Sequence, residues 1–565
     1  MSANGFLSNS KKSKRNNLDS ISVAIGCVLY LVLILFWSAK NGALGIPRND
    51  DAFYIRTAFH FAETGKFVPV SSYPTLFGQV LFSYPIIQIF GESISALQIF
   101  VSALGVFALF VLYLLLRNAI SKIHSVICVL ILGLSPIFAN ISISYMTDIP
   151  AFSFQIFSLF FIAKLQFARK HNSLYFSAAA LTAFVAFSIR QSGVTAVVTV
   201  FVMGLIATRS PARLRKSIFL VNAVVLGGTA FVFYYWRSLS PLYKSYPISW
   251  EQFANPVSFV ATSLATIGMT YGLYLLPVLF LVSPRKFYLR YKGSYFISEL
   301  LVVLSVVITF VILRPKPIGN YFSRFVPYAA TVNANTSDVL SGREWQLLQV
   351  IGLVTTLIFL VVILRWSRQS FKNRSINFSG TSIIGISFVI TIGFMAFAFE
   401  GGGFDRYGLI LIPLLPAMLI KCSSDLSILR NRFSFSALAA LLLIAVFGVK
   451  SFDSSTVFDG AKWKIANQEV ESGTNPLHID GGYEWFAYHQ TNFDTTQIDK
   501  FVLWGKFSSD PEKLTPEEMK LVKDVCIVAR VNKPEERDEE IRKLEETGLF
   551  GWKVQLALQK LWECG

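Results

Sequence analysis

Long apolar runs separated by short polar stretches fill the first 450 residues of the chain. A helix crossing the hydrocarbon of a bilayer needs about 20 mostly apolar residues. Runs of that kind lie at 21–38, 93–116, 123–140, 150–168, 174–189, 192–208, 217–236, 257–283, 296–313, 347–364, 380–399, 407–420 and 433–449. The pattern predicts an all-α polytopic membrane protein of about thirteen transmembrane helices.

Two stretches break this rhythm. Residues 39–92 form a first loop far longer than a bare connection requires. It contains DAFYIRTAFHFAETG, whose Phe53, Ala58, Phe61 and Ala62 suit a helix lying on the membrane surface, started by Asp50 or Asp51 and stopped by Gly65. The following LFGQVLFSYPIIQIFG is apolar and interrupted by Pro85, so it dips into the interface or extends the next helix.

From 451 onward the pattern changes. DGAKWKIANQEVES reads as a helix, LHIDGG as a strand and turn, VCIVARV as a buried strand, PEERDEEIRKLEE as a charged helix and KVQLALQKL as an alternating strand. A small soluble α/β domain over 451–565 follows, of sensible size for one domain. The expected organisation is a basic cytoplasmic tail at 1–20, a membrane domain at 21–450 and that exported domain.

Charge supplies the orientation. Residues 451–565 hold 14 of the 51 Lys and Arg and 21 of the 34 Asp and Glu, a net of −7, which leaves +24 on residues 1–450. The basic residues there cluster at Lys11, Lys12, Lys14 and Arg15, at Arg117 and Lys122, at Arg209, Arg213, Arg215 and Lys216, and so on after each second span. That is the spacing of the positive-inside rule, with the N-terminus in the cytoplasm and the C-terminus outside. Such placement makes the excess a topology signal, not a nucleic-acid footprint. The apolar run at 21–38 is long for a cleaved signal and has no clear cleavage site, so it reads as a retained anchor. Five cysteines are too few for a disulfide framework; Cys526 and Cys564, in the tail, are either bridged or two free thiols.

Acids are scarce before residue 450, so their positions are informative. Asp50, Asp51, Asp148, Glu400 and Asp405 all fall on the outer side of this topology. A carboxylate beside a low-dielectric region is expensive unless paired or functional. Asp50 or Asp51 could instead cap a helix, and Asp148, two residues before Pro150, could meet a helix dipole. Arg190 in FSIRQSG and Arg406 after Asp405 lie on the same side, and an arginine fork suits phosphate. Arg314 and Arg324 read as interfacial residues. His60, His124, His171, His478 and His489 show no metal-ligand spacing, and no phosphate loop or dinucleotide fingerprint is present.

NDDAFY after the first span resembles the start of membrane glycosyltransferases of GT-C fold, as do FGESISALQIFVSALGVFALFVLYLLLR, LSPIFANISISYMTDIPAF and FDRYGLILIPLLP. The likeness is to bacterial relatives of protein O-mannosyltransferases and of lipid A aminoarabinose transferase, and is best over 45–195. It implies a polyprenyl phosphate sugar donor used on the exported face of a bacterial inner membrane, with a lipid, glycan or protein as acceptor. Residue by residue it implies catalysis for Asp50, Asp51 and Asp148 and donor-phosphate binding for Arg190 and Arg406. Mg²⁺ or Mn²⁺ held by the three aspartates is compatible with that donor set. The aminoarabinose transferases carry a lysine before paired prolines where this chain reads YPTLFGQ, which argues against the same substrate. The rival readings are a flippase for lipid-linked sugars, which would distribute polar groups along its spans, and a noncatalytic envelope scaffold.

Overall fold

The computed structural model describes residues 3–69, 75–165, 172–207, 212–239, 256–290, 339–372, 380–398, 404–430, 434–489, 525–531, 539–551 and 553–560, with a few isolated positions between. The chain is mostly helical and crosses a membrane more than once. In lipid every backbone group must find its partner within the segment, and a helix achieves this alone.

Helix α1 (Ala3–Lys40) is followed by α2 (Asp51–Thr64), α3 (Phe77–Phe90), α4 (Ile94–Leu116), α5 (Lys122–Gly133), α6 (Pro136–Ser142) and α7 (Asp148–Lys164). Next come α8 (Asn172–Ile189), α9 (Val194–Ala207), α10 (Ala212–Leu239), α11 (Pro256–Gly272), α12 (Leu276–Leu279) and α13 (Pro284–Arg290). The last helices are α14 (Gly342–Lys372), α15 (Gly380–Ala398), α16 (Leu411–Asp425), α17 (Phe435–Glu471) and α18 (Tyr483–His489). Among the described residues six helices are long and apolar enough to span a bilayer, and α5 with α6 makes a seventh if that bent pair is one span. The shorter apolar helices α3, α8, α9 and α15 pack among them. The run expected at 296–313 lies mostly outside the described residues.

Where a helix ends, local chemistry gives the reason. The run at 123–140 is not one helix: it bends by 64° between α5 and α6. There the Ser135 hydroxyl accepts from the Phe138 N–H at 3.1 Å and Pro136 takes the first helical position, which starts a new helix. Helix α2 stops at Gly65, whose φ of 69° allows its N–H to reach the Phe61 carbonyl at 2.8 Å. It does not lie open on a membrane surface. Tyr54, Ile55, Ala58 and Phe59 are buried, and α2 packs against α3 and α18. Nor does Pro85 end α3, which runs from Phe77 to Phe90 with the proline inside it.

The C-terminal sheet has the order β1-β2-β4-β3, formed by Ile479–Asp480, Ile527–Val531, Glu539–Thr547 (β3) and Lys553–Lys560 (β4). The stretch read as a charged helix contains β3 instead. Its Glu, Lys and Arg favour a helix locally, but antiparallel pairing with β4, Leu544 opposite Leu556, overrides that preference. Helix α17 runs unbroken across residue 450, so no break in the helix marks the boundary expected there. Every residue from Ser451 to Trp463 on it is buried, enclosed by α6, the first loop and the sheet. Asp453 ties these together: it accepts from Trp37 Nε1 at 2.8 Å, Asn41 Nδ2 at 2.9 Å, and the N–H groups of Leu549 and Phe550 at 3.0 and 3.1 Å.

Cys27, Cys128 and Cys422 are free thiols, and Cys526 is disulfide-bonded. Cys564 lies outside the described residues.

Candidate active site

The first loop enters the site through a backbone turn. Asn49 takes a left-handed φ of 60°, and Asp50 follows at the N-terminal boundary of α2. Asp50 makes no side-chain capping bond, so its carboxylate is available elsewhere. It accepts from Arg406 Nη2 at 2.9 Å, and its side chain stays 18% exposed.

Arg406 comes from a 3₁₀ turn, Asp405–Gly408, just before α16. A Cβ at Gly408 would meet the Tyr271 hydroxyl at 2.3 Å, so only glycine lets the turn sit this close. The Asp405 carboxylate fixes the turn by accepting from the Tyr321 N–H at 2.8 Å and from the Phe322 N–H. Burial pushes its pKa up to about 6 against those hydrogen bonds.

Asp148 opens α7 and Arg190 closes α8. Arg190 Nη1 donates to Asp148 Oδ2 at 3.1 Å and to the Thr147 hydroxyl, with its guanidinium 4.7 Å from the Tyr407 ring centroid. Asp148 Oδ1 stands 3.9 Å from Arg406 Nε. The result is an alternating row, Asp50, Arg406, Asp148, Arg190, built from four separate parts of the chain. Burial works against charge on both arginines, and their acids more than offset it. Among the described residues, Arg406 Nε and Nη1 and Asp148 Oδ1 are buried without a hydrogen-bond partner.

Asp51 is placed differently from Asp50. Its side chain is fully buried, and it accepts from the Arg48 N–H and, at 3.0 Å, from the Tyr145 N–H. Those bonds staple the first loop to the loop before α7. Both its oxygens are occupied by main chain, and those of Asp50 and Asp148 face arginines. No group of three His, Cys, Asp or Glu among the described residues stands where it could hold a metal ion. The three carboxylates therefore do not fit a shared divalent cation in this arrangement. Glu400 and Arg314 lie outside the described residues.

A second buried ionic group escaped the sequence reading. Arg48 Nε pairs with Asp459 at 2.7 Å, and its other nitrogens reach the Ser455 hydroxyl at 2.6 Å and the Asn140 carbonyl at 3.2 Å. Lys462, one turn further along α17, pairs with Glu484 on α18 and lies 4.0 Å from Asp459. The only signal available was the presence of Asp453, Asp459 and Lys462 in a helix otherwise rich in small and apolar residues.

Residues 82–236 match the model of a family described as dolichyl-phosphate-mannose-protein mannosyltransferase. That segment contains Asp148 and Arg190 and leaves Asp50 and Arg406 outside it. No curated protein matches the chain. Among solved structures, the archaeal oligosaccharyltransferase AglB from Archaeoglobus fulgidus, in complex with an inhibitory peptide and a dolichol-phosphate, is 15% identical with a TM-score of 0.42, over 89% of this chain and 69% of that one. ArnT from Cupriavidus metallidurans bound to undecaprenyl phosphate is 13% identical with a TM-score of 0.39, over 94% and 97%. The arabinosyltransferase EmbB from Mycobacterium smegmatis is 12% identical with a TM-score of 0.33, over 79% and 42%.

Proposed function

We propose that this chain is a membrane glycosyltransferase of GT-C type. It moves a sugar from a polyprenyl phosphate donor to a lipid, glycan or protein acceptor on the extracytoplasmic face, with inversion at the anomeric carbon. The observation that carries the reading is Arg406. This buried guanidinium spends one nitrogen on Asp50 and keeps two further donors without hydrogen-bond partners. Orphaned buried donors are costly unless a ligand satisfies them, and a planar fork is suited to phosphate.

Asp50 is the proton acceptor. The acceptor hydroxyl or amine attacks the anomeric carbon as its proton passes to the Asp50 carboxylate. The bond from that carbon to the phosphate oxygen breaks, and the electron pair leaves with polyprenyl phosphate. Arg406, with Arg190 beside it, stabilises the charge growing on that phosphate. Asp148 holds both arginines in place, and Asp51 is a positioning residue that fixes the loop carrying Asp50. The polyprenyl chain remains in the bilayer while its head reaches the row of charges.

The orientation proposed puts the N-terminus in the cytoplasm, in a bacterial inner membrane. The bridged Cys526 supports an exported tail, since disulfides persist in oxidising compartments. Incubation of the purified protein with a polyprenyl phosphate sugar and acceptor tests the function. The expected result is release of polyprenyl phosphate; flipping of the donor without release would replace the enzyme by a transporter.

A further inference from the structure

The turn between β3 and β4 presents two apolar side chains beside a charged strand. Leu549 is 42% exposed and Phe550 63% exposed, while Lys543 and Glu545 hold exposed positions on β3. The turn is fixed through its backbone. Asp453 on α17 accepts from the Leu549 and Phe550 N–H groups, and a Cβ at Gly548 would stand 2.5 Å from Asp453 Oδ2, so only glycine allows that approach. The Phe550 ring centroid lies 4.4 Å from that of Trp37, near the end of α1. Leu18–Lys40 of α1 is long and apolar enough to cross a bilayer. Trp37 precedes the last residue of that span by three positions, about 4–5 Å along a helix. Phe550 therefore stands at the level where hydrocarbon gives way to head groups, the depth that aromatic rings favour.

We infer that the β3–β4 turn inserts into the bilayer leaflet around the end of α1, with Leu549 and Phe550 in contact with lipid. The outer surface of α1 leads to it. Leu29, Val32, Leu33 and Phe36 are exposed at the spacing of one helical stripe, and Phe36 is the residue before Trp37. A lone exposed leucine or phenylalanine needs no explanation. Here the pair extends an apolar surface that faces lipid wherever α1 crosses the membrane. The exposed Lys40 marks where that surface ends and is placed to reach a lipid phosphate. The leaflet is thus the occupant, and the sheet of the tail rests on the membrane on the side of the first loop. This contact depends on α1 crossing the bilayer and not on sugar transfer.

The test places a nitroxide at Phe550→Cys, Leu549→Cys or Lys543→Cys in the full chain, in nanodiscs of phosphatidylethanolamine and phosphatidylglycerol. Electron paramagnetic resonance then compares collision with oxygen, which concentrates in lipid, against collision with a water-soluble nickel chelate. Cys27, Cys128 and Cys422 are buried, and the unmodified chain taken through the same labelling supplies the background. Labels at 549 and 550 are expected to favour oxygen and to report a depth of about 5–10 Å below the phosphates, and the label at 543 to favour the chelate. Leu549→Cys leaves the contact between Phe550 and Trp37 intact, so a folding defect of the Phe550 variant would not hide the result. Equal access of the chelate to all three labels overturns the inference. Shielding of both turn labels from both reagents also overturns it, since protein rather than lipid would then cover the turn.

Discussion

Asp50 and Arg406 lie 356 residues apart in the sequence and meet at 2.9 Å, the first loop and the start of α16 closing on one another. This contact, and the 3.9 Å approach of Asp148 to the same guanidinium, unite the first loop, α7 and the 405–408 turn in one site. Each part of that arrangement has a measurable consequence.

Asp50→Asn keeps the size of the side chain and one oxygen that can accept from Arg406, and removes its ability to take a proton. Transfer is expected to fall by about 10²–10⁴-fold, with membrane insertion and thermal stability close to those of the unmodified chain. Polyprenyl phosphate release and a melting curve in detergent check both halves. Turnover at the original rate would take Asp50 out of its role.

Asp51→Ala should act on folding. It leaves the buried N–H groups of Arg48 and Tyr145 without acceptors, at a cost of roughly 1–3 kcal/mol for each such group. A lower melting temperature is expected, with residual turnover per folded molecule. A variant that melts normally and is dead would move Asp51 into the chemistry.

Arg406→Lys replaces a planar fork by a single ammonium that cannot serve Asp50, Asp148 and a phosphate together. We expect kcat/KM for the lipid-linked donor to drop by about 10²–10³-fold. Arg406→Ala should also destabilise, by about 3–5 kcal/mol, because it strips a buried acid of its partner. Steady-state kinetics with varied donor separates the two variants. A lysine variant with unchanged kcat/KM would show that the fork is dispensable.

Asp405 gives a pH dependence of defined sign. Its pKa is raised from 3.8 to about 6 in the folded chain, so the folded state binds more protons than the unfolded one between those values. Its contribution is present below pH 3.8 and lost as pH rises through about 6, on the order of 2–3 kcal/mol across the window. Melting temperatures of the unmodified chain relative to Asp405→Asn should therefore decline from pH 4 to pH 6.5. A difference that is flat with pH would remove Asp405 as the cause.

Arg48→Met leaves the buried Asp459 without its 2.7 Å partner and with only Lys462 at 4.0 Å and should cost about 3–5 kcal/mol, while Arg48→Met with Asp459→Leu should recover most of it. Chemical or thermal unfolding of the single and double variants gives the coupling directly. Equal loss in both variants would show that packing, not the ion pair, holds the first loop to α17.

The sequence by itself determined the helical membrane architecture, because a bilayer imposes a length and apolar composition that each helix must meet alone. It also singled out Asp50, Asp148, Arg190 and Arg406, since charges are rare beside lipid and stand out at the ends of apolar runs. Only tertiary structure could separate Asp50 from its neighbour Asp51: adjacent identical residues differ solely in what they face, and one meets an arginine while the other is consumed by main-chain N–H groups. The same holds for β3, whose local helix preference yields to pairing with β4, and for Arg48 with Asp459, partners 411 residues apart. Local patterns carry the energy of single segments in lipid; the environment of a charge is set by whatever distant chain folds against it.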